Sequence, residues 1–549
     1  MNLFNAHNRP QLIDLLKKES YDLLIIGGGI TGAGIALDAV TRGLKVALLE
    51  KNDFASGTSS KSTKLIHGGL RYLKQFEVGL VREVGLERAV VHKLAPHLVQ
   101  SEKMLFPLIK NGSFGKMLTS FGLMIYDILA GVKKADQRKV LTKKATLARE
   151  QLLDATKVQG GVIYAEYRTD DARLTIEVMK TAVAKGARVI NYAEVTDFIY
   201  DNDQQISGVK WVDQLDGSNY ETKADYVISA AGPWVDKVRE KNDSLNHRRL
   251  HLTKGVHIVV PHEKFPVSQS VYFDVPDGRM IFAIPRGRVT YVGTTDTDYN
   301  GNMDDVRTSK EDVLYLLNGI KQLFPKIELS MHDVASSWAG LRPLIEEEGK
   351  SASELSRKDE IFESPSGLLS IAGGKLTGYR KMAERIVNRL AKKIKKQQGK
   401  TIPRSQTKHL ALSGGAFKNA QEVNEYLEEV KRKLANFSLS EYYAAYLVHN
   451  YGRQTDDILA SLNQLTNAHV ELRLILAELD FTIKNESVQT CVDFFERRTG
   501  RIFFHIDTVE QFKGHVLEAM QKALHWSDAR KEKEQALLQE HLARAKTFD

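Results

Sequence analysis

The pattern of apolar and polar residues predicts alternating strands and helices near the start of the chain. Leu23–Ile26 forms an uninterrupted apolar run that is typical of a buried parallel strand. Ala33–Thr41 has helical character, and a second apolar strand, Lys45–Glu50, ends on an acid. Another helix is expected over 171–186, followed directly by a strand over 187–190. These units predict an α/β fold with a parallel sheet.

The pattern changes twice further along the chain. Strands are expected at 208–212, in the run 224–234, and at 257–260, 280–284 and 289–292, with glycine, proline and aspartate between the later ones. After residue 375 the pattern becomes helical and basic, and a polar segment at 397–404 marks a boundary. The remainder has few glycines and reads as helices. A short helix around Asn8–Leu16, with Pro10 in its first turn, is expected before the first strand.

A glycine motif joins the first strand to the first helix. Gly27, Gly29 and Gly32 have the G-x-G-x-x-G spacing, and Glu50 ends the second strand eighteen residues later. In such a motif the glycines permit a tight turn, a close approach of pyrophosphate and close helix packing, while the helix start holds phosphate. Glu50 would accept hydrogen bonds from the adenosine ribose. The motif predicts a dinucleotide site and leaves nicotinamide and flavin open.

Composition and charge limit the class of protein and the kinds of partner that it can have. The 549 residues, 42% hydrophobic and 27% charged, are typical of a globular protein of two or three domains. The single cysteine, Cys491, precludes an internal disulfide and a C-x-x-C redox pair, and favours an intracellular location. No secretory signal or membrane-spanning run is expected. The net charge of +9 favours anionic partners, and no pattern typical of nucleic-acid readers accompanies it.

Three later segments favour flavin. Residues 54–73 form a hydroxyl- and glycine-rich loop directly after the ribose acid, where a chain can follow pyrophosphate and the ribityl group. Residues 228–234 are similar to the small-residue turn with which flavoproteins close over the dinucleotide a second time. Residues 372–380 end a strand with glycines before a helix, and that helix start could face the pyrimidine side of the flavin ring.

With these segments the chain closely resembles the FAD-dependent glycerol-3-phosphate dehydrogenases of aerobic bacteria. The resemblance runs from about Tyr21 to Arg380. It is carried by the blocks GGGITGAGIALDA, SSKSTKLIHGGLRYL, DDARL, AAGPWV, KGVHIVVP, VGTTDTDY, AGLRPL and GGKLTGYR. The helical C-terminal region also has the length expected for that family.

The resemblance implies a Rossmann-like FAD-binding domain, a substrate domain built on a mixed β-sheet, and an all-helical C-terminal domain. We expect the FAD-binding domain over 1–90, 160–245 and 355–398, the substrate domain over 91–159 and 246–354, and the helical domain over 399–549. The implied reaction is oxidation of sn-glycerol 3-phosphate to dihydroxyacetone phosphate, with hydride transfer from C2 to flavin N5. Electrons would pass to a membrane quinone. The expected location is cytoplasmic, at the inner face of the cell membrane, and a homodimer is an expected assembly.

The resemblance also implies site residues. His67, Arg71 and Tyr72 would face the substrate side of the flavin, with His67 positioned to take the C2 hydroxyl proton, although a lone histidine could merely cap the turn. Arg342 is expected to grip phosphate, and Arg357 to share that load, although it looks exposed. The cofactor contacts are expected from Gly27, Gly29, Ile30, Thr31, Gly32, Glu50, Thr58, Ser59, Ser60, Lys64, Leu65, Gly232, Gly374, Leu376 and Thr377.

Several positions have two readings. His257 alternates with strand residues and either points into the pocket or is a core histidine, and Lys375 either holds flavin or substrate oxygen or helps to end a strand. The pair Asp296 and Asp298 is expected to make turn hydrogen bonds rather than a metal site, because no ligand cluster accompanies it. His257 and Lys375 stand beside His67 as candidate catalytic residues.

Two segments bear on membrane contact. The stretch from Arg380 to Lys400 carries nine cations against Glu384 alone, and Met382, Ile386, Leu390 and Ile394 give it an apolar stripe that more often docks onto a core. The apolar, aromatic segment 114–134 would suit shallow insertion at the interface. Peripheral contact with an anionic membrane surface is therefore expected.

Two other functions compete with the dehydrogenase. An oxidase of the same family would return the electrons to oxygen and release peroxide, but such oxidases typically carry an inserted segment that is not obvious here. A protein that only binds FAD, or senses glycerol phosphate, would not need cations grouped on the reactive side of the flavin.

Overall fold

The structure is a computed structural model, and it describes residues 2–66, 78–110, 138–245, 248–346, 358–466 and 469–548. The strands are β1 Ser20–Ile26, β2 Val46–Leu49, β3 Leu65–Ile66, β4 Gln100–Ile109, β5 Lys139–Thr142, β6 Val158–Arg168, β7 Arg188–Ile190, β8 Ala193–Tyr200, β9 Ile206–Asp213, β10 Asn219–Ser229, β11 Leu250–Pro261, β12 Ser270–Asp274, β13 Met280–Arg286, β14 Val289–Gly293, β15 Thr297–Asp298, β16 Ser336–Ile345, β17 Asp359–Glu363 and β18 Leu369–Gly373.

The α-helices span Arg9–Lys18, Ile30–Thr41, Val78–Leu94, Lys143–Arg149, Asp171–Ala184, Val235–Lys241, Lys310–Leu323, Tyr379–Gln398, Ala420–Ala435, Glu441–Tyr451, Thr455–Gln464, Val470–Asn485, Arg501–Phe504, Ile506–Leu524 and Asp528–Lys546. A π-helix spans Asp493–Arg498. Among these described residues, no helix combines the length and the apolar character that crossing a membrane requires.

The first sheet is the predicted nucleotide-binding layer. In the described part of the chain its order is β17-β18-β10-β1-β2-β7, with β9 and β8 added beside β10. β1 pairs in parallel with β2 and β10, and β10 pairs in parallel with β18. The helix Ile30–Thr41 is buried over most of its length, because it packs between the sheet and the helices Asp171–Ala184 and Tyr379–Gln398. The α/β class is confirmed.

The second sheet is mixed, with both parallel and antiparallel pairs. Its order is β15-β11-β14-β13-β12-β4-β6-β3 within the described residues, with β16 paired to β11 and β5 to β6. β4 and β12 pair in parallel, whereas β11 pairs antiparallel with both β14 and β16. β6 begins at Val158, so the boundary expected at 159/160 falls inside a strand of this sheet. The short β3 also belongs to this sheet, although the sequence predicts that residues 1–90 lie in the FAD-binding domain.

The C-terminal region is helical, as expected, but it is not an isolated body. Apolar residues of the helices Val470–Asn485 and Ile506–Leu524 share one core with the second sheet, which Phe106, Tyr291 and Trp338 enter from the strands. A separate core lies among the helices between residues 417 and 481. The helical region therefore closes one face of the sheet that forms part of the site.

The helix Tyr379–Gln398 shows whether the apolar stripe of the basic stretch docks onto a core or is exposed to a membrane. Met382, Ile386, Leu390 and Ile394 are each at most 3% exposed and lie in the core of the first sheet. Gly34 lets the two helices approach closely, since a Cβ there would lie 2.9 Å from the Tyr379 ring. The apolar stripe is therefore a core face and is not available to a membrane. The segment 114–134 lies outside the described residues.

Candidate active site

A cavity of about 360 Å³ lies between the two sheets. One wall is formed by the carboxyl ends of β1, β2, β10 and β18 and by the segment after β2. The other wall is formed by β11 and β16 of the second sheet, which contribute His257, Gly340 and Arg342. The carboxyl edge of a parallel sheet is where α/β proteins bind nucleotides. The cavity therefore joins a nucleotide site to a second, chemically different wall.

The glycine turn forms the nucleotide end of the first wall. Gly27 has φ +110°, and a Cβ at Gly32 would lie 1.9 Å from the Gly27 carbonyl oxygen, so the helix start packs directly on the turn. The backbone N–H groups of Gly28 and Asn52 donate to the Glu50 carboxylate at 2.6 and 2.9 Å. Burial raises the pKa of Glu50, and these two donors act against that rise. Glu50 thus fixes the turn from within the cavity wall.

The segment after Glu50 continues this wall. Thr58, Ser59 and Leu65 line the cavity; the Thr58 hydroxyl donates to the Leu341 carbonyl at 2.7 Å, and the Ser59 hydroxyl accepts the Ile30 N–H at 2.9 Å. The loop therefore bridges the helix start and the second sheet. Ile30 and Thr31 also line the cavity.

Gly32, Ser60 and Lys64 do not line the cavity. Ser60 is buried, and the Lys64 ammonium is buried against the Asp171 carboxylate at 2.5 Å. These contacts make Lys64 a brace between the loop and the helix Asp171–Ala184. The expected cofactor contacts of these residues stay predictions.

His257 is both a core residue and a cavity residue, because it is 1% exposed and yet lines the cavity. Its ring stacks on Trp338 at 4.8 Å, and its Nε2 lies 3.0 Å from the Thr63 hydroxyl. Its Nδ1 has no hydrogen-bond partner among the described residues. Burial, then the charges of Arg342 and Lys64, hold the pKa of His257 well below its ordinary value. The imidazole is therefore neutral at pH 7.

Arg342 lies on the strand next to His257 and lines the same wall. Its guanidinium donates to the Thr294 hydroxyl at 2.7 Å and to Asp296 at 3.3 Å. Gly255 makes room for it: a Cβ there would lie 2.0 Å from Arg342 Nη2. A permanently charged fork beside a cavity is suited to an anionic ligand.

The two aspartates of the 292–299 block make hydrogen bonds. Asp296 accepts from Arg342, and Asp298 lies 2.8 Å from His251 Nε2. Within the described ranges, no cluster of three or more histidine, cysteine, aspartate and glutamate side chains could hold a metal ion.

The residues after β18 close the first wall. Gly374, Lys375, Leu376 and Thr377 line the cavity, as does Gly232 from the turn after β10. The short 3₁₀-helix Leu376–Gly378 leads into the helix Tyr379–Gln398, so backbone N–H groups of a helix start lie at the wall. Such a start favours negative charge.

His67, Arg71, Tyr72 and Arg357 lie outside the described residues, so their roles stay predictions. Sequence reasoning did not single out Thr63 and Trp338, which orient His257. It also did not single out Trp234, whose indole donates to Asp304 at 3.0 Å and lies beneath the Lys51 ammonium. Thr63 lies in the hydroxyl-rich loop, which was the available signal.

The chain is similar to known proteins along most of its length. Residues 22–380 match the family described as FAD dependent oxidoreductase, and residues 405–531 match the C-terminal domain of alpha-glycerophosphate oxidase. An aerobic glycerol-3-phosphate dehydrogenase of Staphylococcus aureus strain USA300 is 50% identical over 528 residues, which cover 96% of this chain and 95% of the relative. The chain belongs to the aerobic glycerol-3-phosphate dehydrogenase family.

Solved structures of this family and beyond it are also similar. The glycerol-3-phosphate dehydrogenase from Bacillus halodurans, complexed with FAD, is 42% identical with a TM-score of 0.85, covering 99% of both chains. An L-alpha-glycerophosphate oxidase from Mycoplasma pneumoniae with FAD bound is 19% identical with a TM-score of 0.55 and covers 71% of this chain and 97% of its own, which shows the fold alone. The prediction of an FAD-dependent oxidoreductase is confirmed.

The residues of the cavity fit the FAD that the family implies. The turn at Gly27–Gly29 has no side chains that would block a pyrophosphate, and Glu50 offers carboxylate oxygen to a ribose. Gly232 and Gly374, both with positive φ, present bare backbone from two further turns. FAD therefore has three backbone turns and one acid to contact.

Proposed function

We propose that this enzyme oxidises sn-glycerol 3-phosphate to dihydroxyacetone phosphate and passes the electrons to a membrane quinone. The observation that carries the proposal is the juxtaposition of Arg342 and His257 in one cavity wall, opposite the nucleotide-binding wall. A guanidinium can hold a phosphate, and a neutral imidazole can take a proton. When bound, FAD supplies a two-electron acceptor.

Phosphate recognition is assigned to Arg342. Its hydrogen bonds to Thr294 and Asp296 fix the guanidinium in the wall, with 18% of the side chain exposed. Gly255 leaves the approach open. Arg357 would add a second cation, as the family resemblance implies.

Proton removal from the C2 hydroxyl is assigned to a histidine. His257 is neutral at pH 7 and is oriented by Thr63 and Trp338, whereas His67 is favoured by its place in the family motif. Lys375 lines the opposite wall, where an ammonium would stabilise negative charge on substrate or cofactor oxygen. Comparing His257→Asn with His67→Asn identifies the base.

The substrate assignment is tested without oxygen. Adding sn-glycerol 3-phosphate to the purified yellow protein should bleach the flavin absorbance, whereas glycerol at the same concentration should not, because it lacks the phosphate. A protein that keeps its colour with sn-glycerol 3-phosphate would overturn the proposal.

The acceptor is tested on the bleached protein. A water-soluble quinone analogue should restore the colour much faster than air-saturated buffer. Fast recovery in air with stoichiometric peroxide would instead identify an oxidase.

Peripheral membrane contact is the last part of the proposal. Lys392, Lys395 and Lys396 belong to the helix Tyr379–Gln398, whose opposite face is buried, so contact would be electrostatic. Vesicles with anionic lipid should bind the protein at low salt and release it at high salt, and neutral vesicles should not bind it. The expected homodimer is tested by light scattering.

A further inference from the structure

The cavity wall includes a segment that the C-terminal helical region holds from outside. We name residues 53–61 the wall segment; its members Ser56, Gly57, Thr58, Ser59 and Lys61 line the cavity. The π-helix Asp493–Arg498 lies behind it and carries four charged residues, all buried. π-Helical turns are rare in proteins, and those that do occur are frequently found at functional sites. The contacts between these two segments are ionic at both ends of the wall segment.

The first ionic contact is at Asp53. Arg498 donates to both Asp53 carboxylate oxygens at 2.7 and 2.9 Å, and Arg497 Nε donates at 2.6 Å. Asp53 is 1% exposed and Arg498 is fully buried. Burial would raise the pKa of Asp53, but the two guanidinium groups outweigh it and hold the pKa below its ordinary value. This is a forked, charge-assisted contact between buried side chains.

The second ionic contact is at Lys61. Its ammonium pairs with the Glu496 carboxylate, whose other oxygen lies 3.0 Å from His541 Nδ1. Burial acts to raise the pKa of Glu496, but the charges of Lys61 and Arg497 and the His541 hydrogen bond hold it well below its ordinary value. Glu496 therefore stays charged and holds Lys61 in place at the second end of the wall segment.

The Asp53 contact is connected to the nucleotide turn by a short chain of bonds. Asp53 follows Asn52, whose N–H donates to one oxygen of Glu50, and the other Glu50 oxygen accepts the Gly28 N–H. The Ala55 N–H also donates to the Gly28 carbonyl at 3.1 Å. A shift of Asp53 would therefore also move Glu50 and Gly28, which shape the expected ribose and pyrophosphate region.

We propose that the π-helix Asp493–Arg498 is a cofactor-retaining clamp: Arg497 and Arg498 at Asp53, and Glu496 at Lys61, hold the wall segment in its FAD-binding position. These are positioning residues. The clamp acts on cofactor affinity, so it does not depend on which substrate or acceptor the enzyme uses.

Buried ion pairs are suited to fixing the position of the wall segment. A buried ion pair adds little stability over an apolar pair, but losing one partner is costly and the forked geometry fixes position. The residues of the clamp lie 435 to 445 positions from the wall segment in the chain. FAD binding and docking of the helical region should therefore be coupled.

The experiment measures FAD affinity and folding separately. Variants Arg498→Met and Glu496→Gln are prepared beside the control Arg501→Met. The control removes a guanidinium from the Arg501–Glu478 pair of the same region, which is equally buried and 2.7 Å apart. Within the part of the chain that the structure describes, the Arg501 side chain donates to Glu478 and Thr508 and not to the wall segment. Apoprotein is titrated with FAD by the quenching of flavin fluorescence. Far-UV circular dichroism on heating reports the fold.

Arg498→Met should weaken FAD binding roughly tenfold or more. Glu496→Gln, which keeps the side-chain shape, should weaken it by a smaller factor. On heating, both variants should release FAD before their helices melt. Arg501→Met should lower the melting temperature while its FAD dissociation constant at 25 °C stays within about twofold of the unmodified protein.

Two outcomes overturn the clamp. The first is that Glu496→Gln and Arg498→Met, both folded, bind FAD as tightly as the unmodified protein. The second is that Arg501→Met loses FAD affinity to the same extent, which would make the effect one of general destabilisation. If Arg498→Met does not fold, Glu496→Gln decides alone.

Discussion

Gly255 is the position where the smallest chemical change should displace the proposed phosphate-binding group. An alanine Cβ at this position would lie 2.0 Å from Arg342 Nη2 and 2.4 Å from Cζ and Nη1. Atoms cannot approach that closely, so Gly255→Ala must push the guanidinium away. The displaced atoms are the far end of a flexible side chain, and the Gly255 backbone has ordinary strand geometry. The fold should therefore tolerate the change, with a stability difference of about 1 kcal/mol or less.

The functional effect should be much larger. A hydrogen bond to a charged group contributes about 1.5–3 kcal/mol, which corresponds to roughly 10- to 150-fold in affinity. We expect Gly255→Ala to raise the dissociation constant of sn-glycerol 3-phosphate within this range. The assay is anaerobic bleaching of the flavin at increasing substrate concentration, with thermal melting recorded beside it.

A double-mutant cycle with Arg342 distinguishes displacement from other effects. Arg342→Met should weaken substrate affinity about as much as Gly255→Ala, and combining the two should add little, because both remove the same interaction. The control Gly514→Ala, where a Cβ meets no neighbouring atom, should leave affinity unchanged. Unchanged affinity in a folded Gly255→Ala protein, or full additivity with Arg342→Met, would show that Gly255→Ala does not act by displacing Arg342.

Three further predictions concern other parts of the molecule. His257→Asn should slow anaerobic flavin bleaching by roughly 100-fold or more with little change in substrate affinity, measured by stopped flow; an unaltered rate removes this histidine as the base. Burial lowers the pKa of His97 to about 3 and of His449 to about 4, so the unfolded chain binds protons that the folded chain does not. The free energy of unfolding should therefore decrease as the pH is lowered from 6.5 to 4, by about 1.4 kcal/mol per pH unit for each histidine. A free energy of unfolding that stays constant over this range in the unmodified protein would contradict the prediction. Gly32→Ala should impair folding itself, because its Cβ would meet the backbone oxygen of Gly27; a soluble variant with an unchanged melting temperature would be inconsistent with this close approach.

Local pattern was sufficient for the nucleotide-binding layer. The apolar run at Leu23–Ile26, the glycines after it and the acid at Glu50 are close in sequence, and they form one strand, turn and wall. The apolar stripe of Tyr379–Gln398 likewise indicated a core face, although the lysines beside it also suggested a membrane.

Long-range pairing was beyond the reach of single-sequence reasoning. His257 and Arg342 share a wall because β11 and β16 pair antiparallel, with Thr253 opposite Arg342, and no periodicity records that register. The motif resemblance supplied those residues instead. The ionic contacts between Asp53 and Arg498 join positions 445 residues apart, and a buried arginine looks in sequence like any exposed one. The domain boundary inside β6 has the same origin, because sheet membership is decided by its partner β4.

The proposed reaction is oxidation of sn-glycerol 3-phosphate at C2 by the enzyme with FAD bound in this cavity. The most direct test is an anaerobic single turnover with substrate that carries either hydrogen or deuterium at C2. We expect deuterium at C2 to slow flavin bleaching several-fold and one dihydroxyacetone phosphate to form for each flavin reduced. Bleaching without that product, or no bleaching at all, would contradict it.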